Sequence, residues 1–110
     1  MAYVPERGDV VWLTDAPVAG HEQAGRRPWF VVSPAAYNGK VGLALMCPLT
    51  SRAKGYPFEV PVPDGSPVRG VVLSDQVKSL DWRARDAELA CALPPAVVEA
   101  ALARLGRLVG

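Results

Sequence analysis

The chain has one histidine, two cysteines and few aromatic residues, 7% of its 110 positions. Each scarcity closes off a chemistry. A lone imidazole, His21, cannot supply paired-histidine acid–base catalysis or a zinc site built on several imidazoles. Cys47 and Cys91 lie far apart without Cys-x-x-Cys spacing, so they read as reduced thiols rather than as a metal pair or a disulfide. The most apolar stretch, Val41 to Leu49, is well short of the ~20 residues a spanning helix needs. The N-terminus, Met1-Ala2-Tyr3-Val4-Pro5-Glu6-Arg7, has no charged start followed by an apolar run, so it does not read as a signal peptide and a cytoplasmic address is expected.

No charge of one sign dominates. The net charge is +1, which by itself does not announce a nucleic-acid binder. The distribution says more. Residues 1–20 carry −2, residues 57–110 carry −1, and residues 21–56 carry +4 from Arg26, Arg27, Lys40, Arg52 and Lys54 against Glu22. That local excess suits an anionic ligand, although a solvated basic face has the same signature.

The chain's length is that of one domain, residues 1–110, and its half-hydrophobic composition can supply a core. Proline and glycine make up about a fifth, which is loop-rich but below low complexity. Strands are expected at Asp9–Thr14, Trp29–Ser33, Val41–Cys47, Phe58–Val62 and Val68–Ser74, with Val77–Leu80 as a sixth, separated by turn residues. Pro48 and Pro61 push their strands toward an edge or an end. A short helical turn is expected at Pro34–Tyr37 before Asn38-Gly39. From Pro94 the period changes: Val97, Val98, Ala101, Leu102, Leu105, Leu108 and Val109 follow the spacing of an amphipathic helix, with Pro95 in its first turn. The expected fold is mainly β, a small barrel with a C-terminal helix packed against it.

Familiar catalytic layouts are missing. Gly20 and Gly25 do not form a phosphate-cradling loop with a following Lys-Ser/Thr, and no Gly-x-Ser-x-Gly occurs. Three polar clusters remain. Gly20-His-Glu-Gln-Ala-Gly-Arg-Arg-Pro28 joins two apolar runs. Thr50-Ser-Arg-Ala-Lys-Gly55 sets hydroxyls beside cations, as a phosphate site requires. Ser74-Asp-Gln-Val-Lys-Ser79 leads into Asp81-Trp-Arg-Ala-Arg85. There the Trp–Arg mix suits base stacking and phosphate binding, and equally a tryptophan packed inward with its arginines outside.

Gly8-Asp9-Val-Val-Trp12, Glu22-Gln-Ala-Gly-Arg-Arg-Pro28, Ser33-Pro34 with Tyr37-Asn38, Lys54-Gly-Tyr-Pro-Phe-Glu-Val60, and Asp75-Gln-Val-Lys-Ser79 with Trp82-Arg-Ala-Arg85 occur in this order. Together they resemble the MazF/PemK toxins of bacterial toxin–antitoxin modules. One segment departs: after Trp12 this chain reads Leu13-Thr14-Asp15-Ala16-Pro17 where the family often has Asp-Phe-Asp. That places RNA preference at the first loop in doubt, not the catalytic pair.

The resemblance implies an SH3-like barrel, a homodimer, neutralisation by a small MazE-like antitoxin, and metal-independent endonucleolytic cleavage of single-stranded RNA, chiefly mRNA, with no cofactor. It implies Arg27 and Thr50 as the catalytic pair and Glu22 as a functionally important acid. His21, Gln23, Arg26, Ser51, Lys54, Gln76, Lys78, Arg83 and Arg85 are the residues expected to bind RNA. The chemistry of these residues fits. Arg27 can stabilise a dianionic phosphorane through its N–H fork, and its high pKa favours that role over proton donation. Thr50 can donate its hydroxyl to a phosphate oxygen. Glu22 either orients Arg27 or takes the 2′-OH proton. Two other classes compete: a non-catalytic toxin of the same fold that acts by binding protein, as gyrase poisons do, and a peptide-binding SH3-like adaptor.

Overall fold

The computed structural model describes residues 3–14 and 25–110. Its elements in chain order are β1 Asp9–Thr14, β2 Arg26–Val31, α1 Ala35–Val41, β3 Ala44–Thr50, β4 Glu59–Pro61, β5 Val71–Leu73, β6 Lys78–Leu80, β7 Glu88–Ala92 and α2 Pro95–Val109. The strands pair antiparallel in the order β4-β5-β3-β2-β1-β7, with β6 also on β3. Among the described residues this path is open at β4 and β7 rather than closed on itself. The mainly β architecture with a C-terminal helix is the expected one.

The central strands β1, β2 and β3 bury apolar residues on both faces of the sheet. Neighbouring residues on a strand point to opposite sides. Val10 and Phe30 accordingly join Val72, Leu93, Val97 and Ala101 on the face covered by α2. Val11 and Val31 join Leu13, Met46, Leu80 and Trp82 on the other. Helix α2 begins at Pro95, with Pro94 as its extended cap, as the proline positions imply.

Several boundaries differ from expectation, and one shift matters for function. β2 starts at Arg26, not Trp29, because β1 continues to Thr14 and supplies partners for Arg26, Arg27 and Pro28. Adjacent arginines on a strand must diverge. β3 begins at Ala44 and runs through Pro48 to Thr50, so Pro48 does not end it. One edge of β3 pairs with β6 at Ala44–Met46 and with β5 at Leu49–Thr50. Pro48 sits in the interval between them, where that edge needs no N–H. Val41 belongs to α1, which passes through Asn38-Gly39 and stops at left-handed Gly42. Asn38 is buried there: its side-chain amide donates to the carbonyls of Pro5 (2.8 Å) and Ser33 (2.9 Å), and its side-chain oxygen accepts from the Ser33 hydroxyl. β7 was not foreseen. Its sequence Glu-Leu-Ala-Cys-Ala has little strand propensity and is recruited by the edge of β1.

Candidate active site

Thr50 closes β3, and Arg27 is the second residue of β2. Both line one cleft of about 720 Å³, together with Trp12, Ser51, Arg52 and Arg69. Thr50 is fixed from two directions. Its Oγ1 accepts the Arg52 backbone N–H at 3.2 Å, and its carbonyl packs against Gly70. A Cβ at position 70 would stand 2.0 Å from that carbonyl oxygen, and Gly70 has φ +108°, so only glycine fits.

A smaller cleft of about 280 Å³ adjoins the first, sharing Thr50 and Arg52 and adding Lys54, Tyr56, Glu59 and Gln76. Glu59 organises its wall. Its carboxylate accepts the backbone N–H of Lys54 (2.9 Å) and of Gly55 (3.0 Å), pinning the β3–β4 loop. The Lys54 ammonium lies 5.9 Å from the centroid of the exposed Tyr56 ring. The hydroxyls of Thr50 and Ser51, the cations Arg27, Arg52, Lys54 and Arg69, and the amide of Gln76 therefore face a single two-lobed groove. Donors and positive charge focused in a concavity suit a chain of phosphates.

Other residues singled out from the sequence stand elsewhere. Arg26 points away from Arg27 and binds the protein itself: Thr14 Oγ1 at 2.7 Å, the Asp86 carbonyl at 2.8 Å and the Trp12 carbonyl at 3.2 Å, with Glu88 at 3.4 Å. Trp82 is buried, its indole N–H on the Asn38 carbonyl at 3.0 Å. The tryptophan of the Trp–Arg cluster is thus packed inward. Arg83 lies over that ring, 4.7 Å from its centroid, and donates to the Gly39 carbonyl. Arg85 donates to the Thr14 carbonyl at 3.4 Å. Lys78 is exposed on β6 and lines neither lobe. His21, Glu22 and Gln23 lie outside the described residues. Arg52, Tyr56 and Glu59 stood in the quoted segments without a role of their own, and Arg69 was not singled out. The basic loop held a signal for Arg52, but nothing local marked Arg69.

The thiols are poor nucleophiles. Burial pushes Cys47 up to about 12, with the Asp75 charge adding to the effect, and burial also raises Cys91. A thiol held protonated does not attack. Among the described residues no three His, Cys, Asp or Glu side chains come together, and no helix is long and apolar enough to cross a membrane.

Sequence and fold are shared with known proteins. The family model for PemK-like, MazF-like toxins of type II toxin–antitoxin systems matches residues 6–109. The chain belongs to this family. It is 46% identical to the endoribonuclease toxin MazF of Escherichia coli K12 over 108 residues, covering 98% of this chain and 96% of that one. It is 39% identical to the endoribonuclease toxin ChpB of the same strain, covering 94% and 93%. The fold superposes on MazF in a MazE–MazF crystal structure from Deinococcus radiodurans with a TM-score of 0.92, 56% identity, and 99% and 98% of the two chains covered. Membership in the family accounts for the order of the motifs along the chain.

Proposed function

We propose that this protein is the toxin of a toxin–antitoxin pair and a sequence-specific, metal-independent endoribonuclease that cuts single-stranded RNA, chiefly mRNA, and so inhibits translation. The observation that carries the reading is the meeting of Arg27 and Thr50, from different strands, in one cationic cleft. The endoribonuclease names of its relatives support it. A gyrase-poison mode gains nothing from such a pair.

The RNA supplies its own nucleophile. The 2′-oxygen attacks the adjacent phosphorus, its proton passes to a base, and the P–O5′ bond breaks as O5′ gains a proton. The products are a 2′,3′-cyclic phosphate and a 5′-OH. Arg27 donates N–H groups to the equatorial oxygens as charge builds on the phosphorane. Thr50 already accepts from Arg52 N–H, which leaves its O–H to point at a phosphate oxygen. Glu22 orients Arg27 or accepts the 2′-OH proton. Arg52, Lys54 and Gln76 hold the flanking strand.

The protein works as a cytoplasmic homodimer, and a MazE-like antitoxin silences it by laying an acidic segment along the same basic surface. The MazE–MazF complex of the Deinococcus relative supports that partner. Purified protein incubated with a mixed RNA in EDTA tests the reading: cleavage is expected, with cyclic-phosphate and 5′-OH ends. Intact RNA, restored to cleavage by magnesium, would contradict it.

A further inference from the structure

The cleft holding Arg27 and Thr50 has a second neighbour besides the lobe of Tyr56. The β4–β5 connection turns at Pro63–Ser66, closed by Ser66 N–H on the Pro63 carbonyl, and returns so that Val62 N–H meets the Gly70 carbonyl at 2.9 Å. It encloses about 550 Å³ and shares Val68 and Arg69 with the catalytic cleft. Val68 is buried and anchors this ridge, while Arg69 is exposed on it. Most guanidiniums of the fold serve the fold: those of Arg7, Arg26, Arg83, Arg85 and Arg104 each donate to a backbone carbonyl. Among the described residues Arg69 makes no such hydrogen bond, and its exposed N–H fork lines both concavities, where it can donate to a ligand. The far concavity also contains Asp64. A carboxylate there repels phosphate and accepts a neutral base, which puts the anion on the ridge and the base beyond it.

We propose that Arg69 is a further RNA-binding residue. It holds the phosphate that links the nucleotide cut at Arg27 and Thr50 to a flanking nucleotide, whose base occupies the concavity of residues 62–70. This rests on the ribonuclease reading above and adds a subsite to it.

The test uses full-length protein and an RNA made non-cleavable by a 2′-deoxy substitution at its mapped cut site. Arg69→Ala should weaken binding about tenfold and reduce the slope of log affinity against log salt by about 0.7, the value for one phosphate on a single strand. Arg69→Lys should keep the slope. Arg107→Ala removes the same charge from the last turn of α2, which lines none of these concavities, and should change neither. On cleavable RNA, Arg69→Ala should raise the half-saturating concentration in proportion while the saturated single-turnover rate stays within about twofold. RNAs truncated on the 5′ or the 3′ side of the cut locate the subsite: one truncation, and only one, should erase the difference between Arg69→Ala and the parent protein. Unchanged binding and slope would overturn the proposal. So would a collapse of the saturated rate, an effect that survives both truncations, or weakened binding of an acidic peptide with RNA binding intact. Parent protein that cuts RNA while Arg69→Ala matches it defeats only this inference. Parent protein that neither binds nor cuts RNA defeats the ribonuclease reading and this inference with it.

Discussion

Thr50 Oγ1 accepts the backbone N–H of Arg52 at 3.2 Å, so the hydroxyl that closes β3 has a fixed lone pair, and its proton has no acceptor among the described residues. A hydroxyl held in this way is a directed donor. Thr50→Val keeps the shape and removes the donor, and should lower the single-turnover rate by about tenfold to a hundredfold without a matching loss of RNA affinity. Thr50→Ser should retain most of the rate. A full rate in Thr50→Val beside a loss in Thr50→Ser would show that the methyl group, not the hydroxyl, is what position 50 contributes.

Glu59 is a structural acid in a cationic groove. Its carboxylate satisfies the N–H groups of Lys54 and Gly55, so Glu59→Ala should cost about 1 kcal/mol and free the loop that carries Arg52 and Lys54. RNA affinity should fall severalfold while the saturated rate is kept. Titrating a non-cleavable RNA against the variant checks this. Tighter binding, as simple removal of a negative charge would give, is the contrary result.

The buried thiol sets an alkaline limit on stability. Cys47 is held protonated up to about pH 12 in the fold, against 9.0 for a free thiol. The folded state therefore keeps a proton that the unfolded state releases. Stability from this site is complete below about pH 9 and declines between pH 9 and 12, by about 1.4 kcal/mol per pH unit for one proton. Tyr3, raised by burial and by its hydrogen bond to Asp9, adds a decline that begins higher. Urea midpoints at pH 8 and pH 10 should therefore differ less in Cys47→Ala than in the parent chain. An identical pH dependence in both would place the effect elsewhere.

Arg26 and Arg27 are neighbours with opposite duties. Arg26→Ala breaks hydrogen bonds to Thr14, Trp12 and Asp86 and should lower unfolding stability by about 1–2 kcal/mol. The Glu88 pair contributes little to this, since the Glu88 side chain is 72% exposed. The cleavage rate per folded molecule should stay within severalfold. Thermal melts run beside rate measurements separate the two effects.

Much of this was legible in the sequence, because the residues concerned act locally. The apolar runs gave β1 and the helix period gave α2 with its proline start. Arg27 and Thr50 came from the family's motifs, not from any pattern of spacing. What escaped detection depends on distant partners. β7 is a strand only because β1 offers it an edge. Pro48 is tolerated because β3 changes neighbours there. Arg26 was expected among the RNA-binding residues, and the register of β2 turns it toward Asp86 instead. Arg69, alone among prolines and valines in Ser66-Pro-Val-Arg-Gly70, reaches the groove only because the chain reverses at Gly70 against Thr50.

The most direct test of the account compares Arg27→Ala, Arg26→Ala and the parent protein in single-turnover cleavage of one single-stranded RNA, in EDTA, at saturating protein. The account predicts a loss of about a hundredfold to a thousandfold for Arg27→Ala, with its melting temperature unchanged, and a rate near that of the parent for Arg26→Ala. Comparable losses in the two variants, or an Arg27→Ala protein that cuts as fast as the parent, would contradict it.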